Sequence, residues 1–228
     1  MKTVLITGAA SALGMAVAER LVLDGWRVVL ADRDVSALAP ICETLGRERA
    51  LALTLDVTKL EDVKAAIEHL PAPFDVLHGL VNYPSDRFGA DIGAFSLLGA
   101  DAWTGIVDRN LRGFLNCCYA VIPRLIATGG GGIVSVSNFE ALRGSAASAV
   151  FSAASAGSLV FVETMVRECQ PHNIRINTII PPPPDSLAQR PNEQWPATTA
   201  DSIAYLLSDR AIATTGACLD ATAGWALH

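Results

Sequence analysis

Short apolar runs alternate along the chain with longer segments in which apolar residues recur every three or four positions. The short runs are mostly continuous in Val, Ile and Leu, which is typical of strands buried on both faces of a parallel sheet. The predicted strands are Val4–Thr7, Arg27–Ala31, Ala50–Leu55, Val76–Val81, Gly132–Ser137, Ile174–Ile180 and a short last one at Ala217–Asp220.

The longer segments predict amphipathic helices, since residues such as Val63, Ile67 and Leu70 fall on one helical face. The predicted helices are Ala12–Leu23, Val35–Leu45, Leu60–Leu70, Trp103–Ala127, Phe151–Cys169 and Ser202–Ser208. Strands that alternate with helices in this way predict an α/β fold: a Rossmann-like, doubly wound parallel sheet in three α/β/α layers. We expect a single domain over residues 1–228, with a shortened Pro-containing loop near residues 181–199.

Composition excludes several classes of function. The 228 residues are 51% apolar and 18% charged, with a net charge of −6 and no basic run, so we expect no nucleic-acid partner. We also expect no membrane span, because no apolar run reaches the roughly 18 residues that a span needs. The five cysteines form no CxxC pair and no metal spacing occurs, which indicates a cytoplasmic protein with reduced thiols and no bound metal.

The first predicted strand ends in the turn Thr7–Gly14, and a helix follows it. A glycine-containing turn between a strand and a helix presents backbone N–H groups and the helix N-terminus to a pyrophosphate. The candidate contacts to a dinucleotide in this turn are Gly8, Ser11, Leu13 and Gly14.

Acidic residues end the next two strands. Asp32 lies 24 residues after Gly8, where a carboxylate accepts hydrogen bonds from both ribose hydroxyls and repels a 2′-phosphate, so NAD is favoured over NADP. Arg33 follows, and its guanidinium could pair with a phosphate, so NADP stays an alternative cofactor. Asp56 and Val57 end the third strand, where the carboxylate could meet the adenine amino group or cap the following helix.

Over nearly its whole length the chain resembles the short-chain dehydrogenase/reductase family. The matching pieces, in order, are Thr7–Gly14, Asp32, Asp56-Val57, Leu80–Asn82, Asn110–Phe114, Gly132–Ser137, Ile174–Asn177 and Leu206–Gly216. The resemblance implies NAD(P)-dependent interconversion of alcohols and ketones, with Asn82 at the cofactor site. It also implies a proton relay of Ser, Tyr, Lys and a helix Asn, in which tyrosinate is the acid/base.

The relay is altered in this chain. The family's Ser, Tyr and Lys positions are Asn138, Phe151 and Ser155, so that Asn110 is the one retained member. No Tyr occurs between positions 120 and 204 and no Lys after position 64, so no shift of the alignment restores the Tyr–Lys pair. Phe151 keeps an aromatic ring but has no proton to give, whereas Asn138 still offers a hydrogen bond.

Further departures cluster at the nicotinamide end. The family's Asn-Asn-Ala-Gly becomes Asn82–Ser85, which puts the Tyr83 ring near the nicotinamide ribose, and its Pro-Gly becomes Pro181-Pro182. Ala12 replaces the middle glycine of the turn and adds a methyl group near the pyrophosphate. The adenosine end is therefore kept while the nicotinamide end and the catalytic positions are changed.

Other residues offer replacement chemistry. Glu140 and Arg143 follow the fifth strand, as a displaced acid/base or, in the simpler interpretation, as a solvated loop pair. Tyr83 could supply a proton or fill an unused pocket, and Ser137 could replace the family's Ser if its strand slipped by one residue. His78 is interpreted as a core histidine.

These patterns favour a catalytically degenerate family member that binds NAD(H) or an adenine nucleotide and acts as a regulatory or silent subunit. An active NAD-dependent oxidoreductase with an atypical acid/base is the alternative, and a non-redox enzyme on the same scaffold is a weaker one. The resemblance implies a homo-dimer or tetramer formed through helices Trp103–Ala127 and Phe151–Cys169. A hetero-oligomer with an active relative is also open.

Overall fold

Seven parallel strands form one sheet in the order β3-β2-β1-β4-β5-β6-β7. The computed structural model describes residues 1–84, 93–182 and 195–222. The strands are β1 (Thr3–Thr7), β2 (Arg27–Asp32), β3 (Ala50–Thr54), β4 (Gly79–Asn82), β5 (Gly131–Val136), β6 (Ile174–Ile180) and β7 (Cys218–Asp220). The predicted doubly wound parallel sheet is confirmed, and its strand order reverses between β1 and β4, where such folds bind ligands.

Helices cover both faces of the sheet. They are α1 (Ala12–Leu23), α2 (Ala39–Leu45), α3 (Leu60–Glu68), α4 (Ala100–Val107), α5 (Gly113–Ala127), α6 (Glu140–Arg143), α7 (Ala149–Cys169) and α8 (Trp195–Leu207). Residues of α1, α2 and α8 join one apolar cluster, and residues of α3, α5 and α7 join a second. The three predicted layers are therefore present.

The continuous apolar runs follow from burial on both faces. Along β1, Val4 and Ile6 point into the α1/α8 cluster, whereas Leu5 points into the α5/α7 cluster. All three side chains are fully buried. Because successive side chains of a strand alternate between the faces, a strand covered on both sides has no solvent-facing position left for polar residues.

Strand β4 begins three residues later than its apolar run. Its pairing with β1 starts at the pair Gly79 and Val4, and Val76 is 47% exposed. Just before this pair, the Thr3 carbonyl accepts from the His78 backbone amide (2.7 Å), and the Thr3 amide donates to the His78 ring at Nδ1 (3.1 Å). His78 is thus a satisfied, half-buried histidine.

The predicted helix Trp103–Ala127 is interrupted. One π-helical turn, Asp108–Arg112, separates α4 from α5. The Asn110 side-chain amide donates to the Ile106 carbonyl (2.9 Å), which is the acceptor that the Asn110 backbone amide would use in a regular α-helix. The Ser158 hydroxyl donates to the Asn110 carbonyl (3.2 Å), so side chains replace part of the regular ladder and widen the turn.

Two other predicted helices have different bounds. The segment Val35–Leu45 is divided into a 3-10 turn, Val35–Ala37, and helix α2. Helix α8 begins at Trp195, so that the predicted loop is helical from that residue on, and the remainder of the loop, residues 183–194, lies outside the described residues.

One helical segment, Ala149–His172, has the length and the mean hydropathy (1.6) of a membrane-crossing helix. Its first part, α7, lies against the sheet, where Val162 and Cys169 belong to the α5/α7 cluster. A single helix of this kind is weak evidence of a membrane span, because a long helix that covers a sheet has the same length and composition.

Candidate functional site

The turn after β1 is built around a left-handed residue. Gly8 has φ of 64°, a conformation that costs a residue with a side chain about 1–2 kcal/mol. The chain can then fold back, and the Ser11 hydroxyl donates to the Gly8 carbonyl (2.7 Å). This turn lies at the point where the strand order reverses, so its backbone faces the crevice at the carboxyl edge of the sheet.

Ser11 caps α1 and Gly14 packs under the turn. The Gly14 amide donates to the Ser11 hydroxyl (3.0 Å), and a Cβ at Gly14 would lie 2.6 Å from the Gly8 carbonyl oxygen. Leu13 is buried, so it would reach a ligand through its backbone amide alone, while Ala12 is exposed at the helix start. First-turn amides have no partner within a helix, and those of Ala12 and Leu13 suit phosphate oxygens.

Asp32 ends β2 with both carboxylate oxygens turned to backbone amides. Its Oδ2 accepts from the Ala10 amide (3.1 Å) and its Oδ1 accepts from the Asp34 amide (3.4 Å). Each oxygen of a carboxylate accepts more than one hydrogen bond, so capacity remains for the hydroxyls of a ribose. Arg33, next along the chain, is exposed and faces the same crevice.

Asp56 follows β3 and does not cap α3, so that alternative is wrong. The N-cap of α3 is Lys59, and the Asp56 carboxylate accepts from the Thr58 amide (3.1 Å) and hydroxyl (2.7 Å). Desolvation raises the pKa of Asp56, but the Thr58 hydrogen bonds and the charges of Lys59 and Arg33 outweigh it and lower the pKa. Asp56 is therefore an ionised acceptor beside the cleft.

An open cleft connects these elements. The predicted residues that line it are Gly8, Asp32, Arg33, Asp56, Val57 and Asn82. Asn82 is buried, and its Oδ1 accepts from the Thr7 hydroxyl (3.2 Å), which in turn accepts from the Tyr83 amide (3.1 Å). Sequence reasoning missed Arg109, whose position directly before Asn110 was the available signal.

The positions that the family resemblance predicts for the proton relay follow β5 and lie on α7. Asn138 and Phe151 are half-buried and Ser155 is buried. The Asn138 carbonyl accepts from the Ala141 amide (3.0 Å) as the chain turns into α6. None of the three side chains titrates near neutral pH, so these residues themselves supply no general acid or base.

Asn110, which the family resemblance predicts to be the retained relay residue, is 5% exposed and anchors the π-helical turn. Its amide group is used in the bond to Ile106 described above, whereas its Oδ1 is buried without a hydrogen-bond partner in the described part of the chain. An unpaired buried carbonyl oxygen costs about 1–3 kcal/mol, so this atom is a place for a water or a ligand donor.

The interpretation of Glu140 as part of a solvated loop pair is wrong. Glu140 is 4% exposed rather than solvated, and its Oε2 has no hydrogen-bond partner within residues 1–84, 93–182 and 195–222. Burial raises its pKa from 4.5 to about 7. The residue lies on α6, which packs against α7, while Arg143 at the other end of α6 is exposed.

Burial makes the Tyr83 phenol and the Cys117 thiol harder to deprotonate. Burial raises the pKa of the Tyr83 phenol, and the ring packs against the α1/α8 cluster, so the geometry favours the filling role over proton donation. Burial also raises the pKa of Cys117 to about 12, which makes it an inert thiol. No cluster of His, Cys, Asp and Glu suited to a metal occurs among the described residues.

Known proteins resemble this chain along most of its length. The sequence model of the family described as short chain dehydrogenase matches residues 2–197. A 3-oxoacyl-[acyl-carrier-protein] reductase of Chlamydia trachomatis is 27% identical and covers 99% of this chain and 97% of its own length. A short-chain reductase protein, NovJ, of Streptomyces niveus is 32% identical over 82% of this chain and 72% of its own length.

Solved structures agree with the sequence matches. The crystal structure of 3-ketoacyl-(acyl-carrier-protein) reductase from Brucella melitensis, complexed with NADH, superimposes with a TM-score of 0.86 at 26% identity. The match covers 96% of each chain. From its sheet, its turn after β1 and these matches, the chain belongs to the short-chain dehydrogenase/reductase family.

Proposed function

We propose that this protein binds NAD(H) or an adenine nucleotide in the cleft between β1, β2, β3 and β4 and acts as a regulatory or silent subunit. The observation that carries the proposal is the contrast within one site. The turn at Gly8, the Asp32 carboxylate and the Asp56 carboxylate fit an adenosine with its phosphates, whereas the positions of the proton relay hold Asn138, Phe151 and Ser155.

The relatives support a nicotinamide dinucleotide as the ligand class, since the Brucella melitensis reductase was solved with NADH. Asp32 favours NAD(H) over NADP(H), because its carboxylate repels a 2′-phosphate. When bound, a nicotinamide dinucleotide supplies hydride chemistry. In this chain Gly8 and the first amides of α1 would hold its pyrophosphate, and Asp32 would hold its adenosine ribose.

The test is calorimetric titration of NADH and NADPH into the protein and into Asp32→Ala. We expect NADH to bind more tightly than NADPH. Asp32→Ala should weaken NADH binding about tenfold to a hundredfold, because hydrogen bonds to a charged group contribute about 1.5–3 kcal/mol. The matched control is Asp34→Ala, an exposed carboxylate that caps the 3-10 turn and should leave binding unchanged.

Absence of binding by both dinucleotides would contradict the proposal. Equal loss in the Asp32→Ala and Asp34→Ala proteins would also contradict it, because the effect would then reflect a general disturbance of the loop after β2.

An active oxidoreductase is the second candidate, and Glu140 is the observation that favours it. A buried carboxyl with a pKa of about 7 can donate the proton that an alkoxide needs after hydride addition. This function requires carbonyl reduction dependent on NADH that falls at least about tenfold in Glu140→Gln. Its pH profile should carry an ionisation near the pKa of about 7.

We also propose assembly through α5 and α7, as a homo-oligomer or with an active relative. The two helices pack side by side, with the Phe114 and Phe161 rings edge to face at 5.4 Å between centroids. Their outer surfaces expose Tyr119, Ile126 and Val160, which are apolar positions suited to burial in an interface. Light scattering of the purified chain should then give a mass of at least twice the monomer, and a monomeric mass would contradict the homo-oligomer.

A further inference from the structure

His78 lies at the amino edge of the sheet, at the opposite end of the strands from the crevice at Gly8. Its backbone amide donates to the Thr3 carbonyl at the start of β1 (2.7 Å), and its carbonyl accepts from the Gly132 amide in β5 (3.2 Å). A Cβ at Gly131 would lie 2.5 Å from the same carbonyl oxygen, so β5 approaches this residue closely. The backbone of His78 is therefore held between β1 and β5.

The side chain of His78 makes a further contact with β1. Its ring nitrogen Nδ1 accepts a hydrogen bond from the Thr3 amide (3.1 Å), and Thr3 is 1% exposed. A buried amide that loses its acceptor is costly, because water cannot replace the lost hydrogen bond. The start of β1 therefore depends on a side chain that titrates.

This hydrogen bond exists in one protonation state of the ring. A neutral imidazole has one nitrogen that accepts and one that donates, whereas both nitrogens of an imidazolium are donors. A proton on Nδ1 would bring two N–H groups face to face. The contact between His78 and Thr3 is therefore made only while His78 is neutral.

The surroundings of His78 disfavour the protonated ring. Burial is the largest cause that lowers its pKa, and the positive charges of Lys2 and of the terminal amino group add to it. A hydrogen bond to the Val76 backbone opposes these effects without outweighing them. On the same segment before β4, Asp75 is exposed to solvent.

The groove beside His78 contains two other charged residues in the described part of the chain. Arg175 on β6 and Asp209 in the 3-10 turn after α8 both line it, whereas the lining from Thr128–Gly132 carries no charge. The Asp209 carboxylate binds the Lys2 ammonium (2.6 Å), and the hydrogen bond and charge of Lys2, with the charge of Arg175, lower the pKa of Asp209. This carboxylate is thus already paired and does not stabilise an imidazolium.

We propose that His78 is a pH-sensitive contact, which holds the start of β1 while it is neutral and releases the Thr3 amide when mildly acidic solution protonates it. The first residues of the chain then open locally, while the interior of β1, where Ile6 is fully buried, stays paired. In the open state the ring titrates near its ordinary pKa of 6.5. Opening therefore takes up a proton and becomes more frequent as the pH falls below that value.

The proposal does not depend on a bound nucleotide, and amide hydrogen exchange followed by NMR tests it on the whole protein. The protection factors of the Thr3 and Ile6 amides are compared at about pH 8 and about pH 5, on either side of the histidine range. We expect the factor of Thr3 to fall at least about fivefold in acid and that of Ile6 to stay constant.

Two outcomes of this comparison would overturn the proposal. An equal protection factor for Thr3 at both pH values would show that the ring does not control this amide. A fall of the same size for Thr3 and Ile6 would show that acid weakens the whole strand.

The variant His78→Asn separates the ring from every other titrating group, because the side-chain oxygen of Asn accepts a hydrogen bond at every pH. Thr3 should stay protected in this variant, without the fall in acid. The matched control is His69→Asn, which changes an exposed histidine directly after α3 and should keep the fall of the natural chain. A fall in His78→Asn as large as that in the natural chain would overturn the proposal.

Nitrogen NMR of the His78 ring in the natural chain decides the matter if His78→Asn does not fold. At about pH 8 the Nδ1 atom should carry no proton and should show the coupling of an acceptor to the Thr3 amide. A proton on Nδ1 at that pH would overturn the proposal, because the ring could not then accept from Thr3.

Discussion

The nucleotide end and the catalytic end of the site differ in how their polar groups are satisfied. At the nucleotide end Ser11, Asp32 and Asp56 all accept hydrogen bonds from nearby backbone amides. At the catalytic end Asn110 Oδ1 and Glu140 Oε2 are buried without a hydrogen-bond partner in the described part of the chain. One end is organised before a ligand arrives, while the other leaves polar atoms unsatisfied.

This difference bears on the proposal that nucleotide binding is kept while the predicted relay positions carry other residues. The nucleotide end depends on backbone geometry, such as the turn at Gly8 and the start of α1, which changes elsewhere do not disturb. The predicted relay depends on side chains that follow β5 or lie on α7, namely Asn138, Phe151 and Ser155, and these belong to neither apolar cluster. Membership of the family fixes the fold of this chain, while its reaction depends on these side chains.

The largest expected effect comes from a substitution that disrupts the turn at the nucleotide end. Gly14→Ala would place a Cβ 2.6 Å from the Gly8 carbonyl oxygen and 2.7 Å from the Ala9 Cα, both of which are backbone atoms that cannot move aside cheaply. We expect a loss of about 3 kcal/mol in the free energy of unfolding, together with loss of nucleotide binding. Urea denaturation and calorimetry measure the two effects.

The control for this change is Gly99→Ala, because a Cβ at Gly99 meets nothing within 4 Å. It should cost about 0.5 kcal/mol or less and leave binding intact. Similar losses in the two variants would contradict the close approach of α1 to the turn.

A smaller effect concerns Glu140 and the pH dependence of the free energy of unfolding. The unfolded state loses the Glu140 proton near the ordinary pKa of 4.5, whereas the folded state keeps it until about 7. Between these values the folded state binds more protons, so stability falls as the pH rises and then stays lower above about 7. Glu140→Gln removes this loss, and we expect it to stabilise the protein at alkaline pH by on the order of 2 kcal/mol.

Denaturation curves at a series of pH values check this prediction, with Glu163→Gln on the exposed side of α7 as the control. A Glu140→Gln protein with the same pH dependence as the natural chain would show that this carboxyl is not buried in the folded protein.

The smallest effect concerns backbone strain before α7. Ala147 has φ of 63°, and its carbonyl accepts from the Gly93 amide (2.9 Å). Ala147→Gly relieves the unfavourable left-handed conformation and should stabilise the protein by about 0.5–1 kcal/mol, after the greater freedom of glycine in the unfolded state is counted. Ala153→Gly, at an exposed position inside α7, should instead destabilise by about 1 kcal/mol. Thermal unfolding that shifts both variants in the same direction would contradict this account.

The fold could be predicted from the sequence because each element carries its own signal. Ala12–Leu23 was predicted with the bounds that the structure shows, since Ser11 precedes it as a cap and an apolar face runs along it. The π-helical turn at Asp108–Arg112 could not be predicted, because it depends on Asn110 reaching the Ile106 carbonyl. No periodic pattern distinguishes such a turn from the surrounding helix.

The residues of the candidate site likewise fall into those that the sequence predicted and those that it did not. Gly8, Asp32 and Asp56 were predicted because the carboxyl ends of parallel strands share one edge of the sheet. The burial of Glu140 was missed, since it depends on how α6 packs against α7 and on no local pattern. Arg109 was missed, although it directly precedes Asn110, because it lies on the π-helical turn Asp108–Arg112, which no local pattern signals.

The most direct test of the account is saturation-transfer NMR of NAD⁺ in the presence of the protein, which reports how closely each ligand proton contacts the binding surface. The account predicts strong transfer to the adenine protons and the adenosine ribose, and little to the nicotinamide protons. Transfer to the nicotinamide that equals or exceeds transfer to the adenine would contradict the account, in which the adenosine end carries ligand recognition.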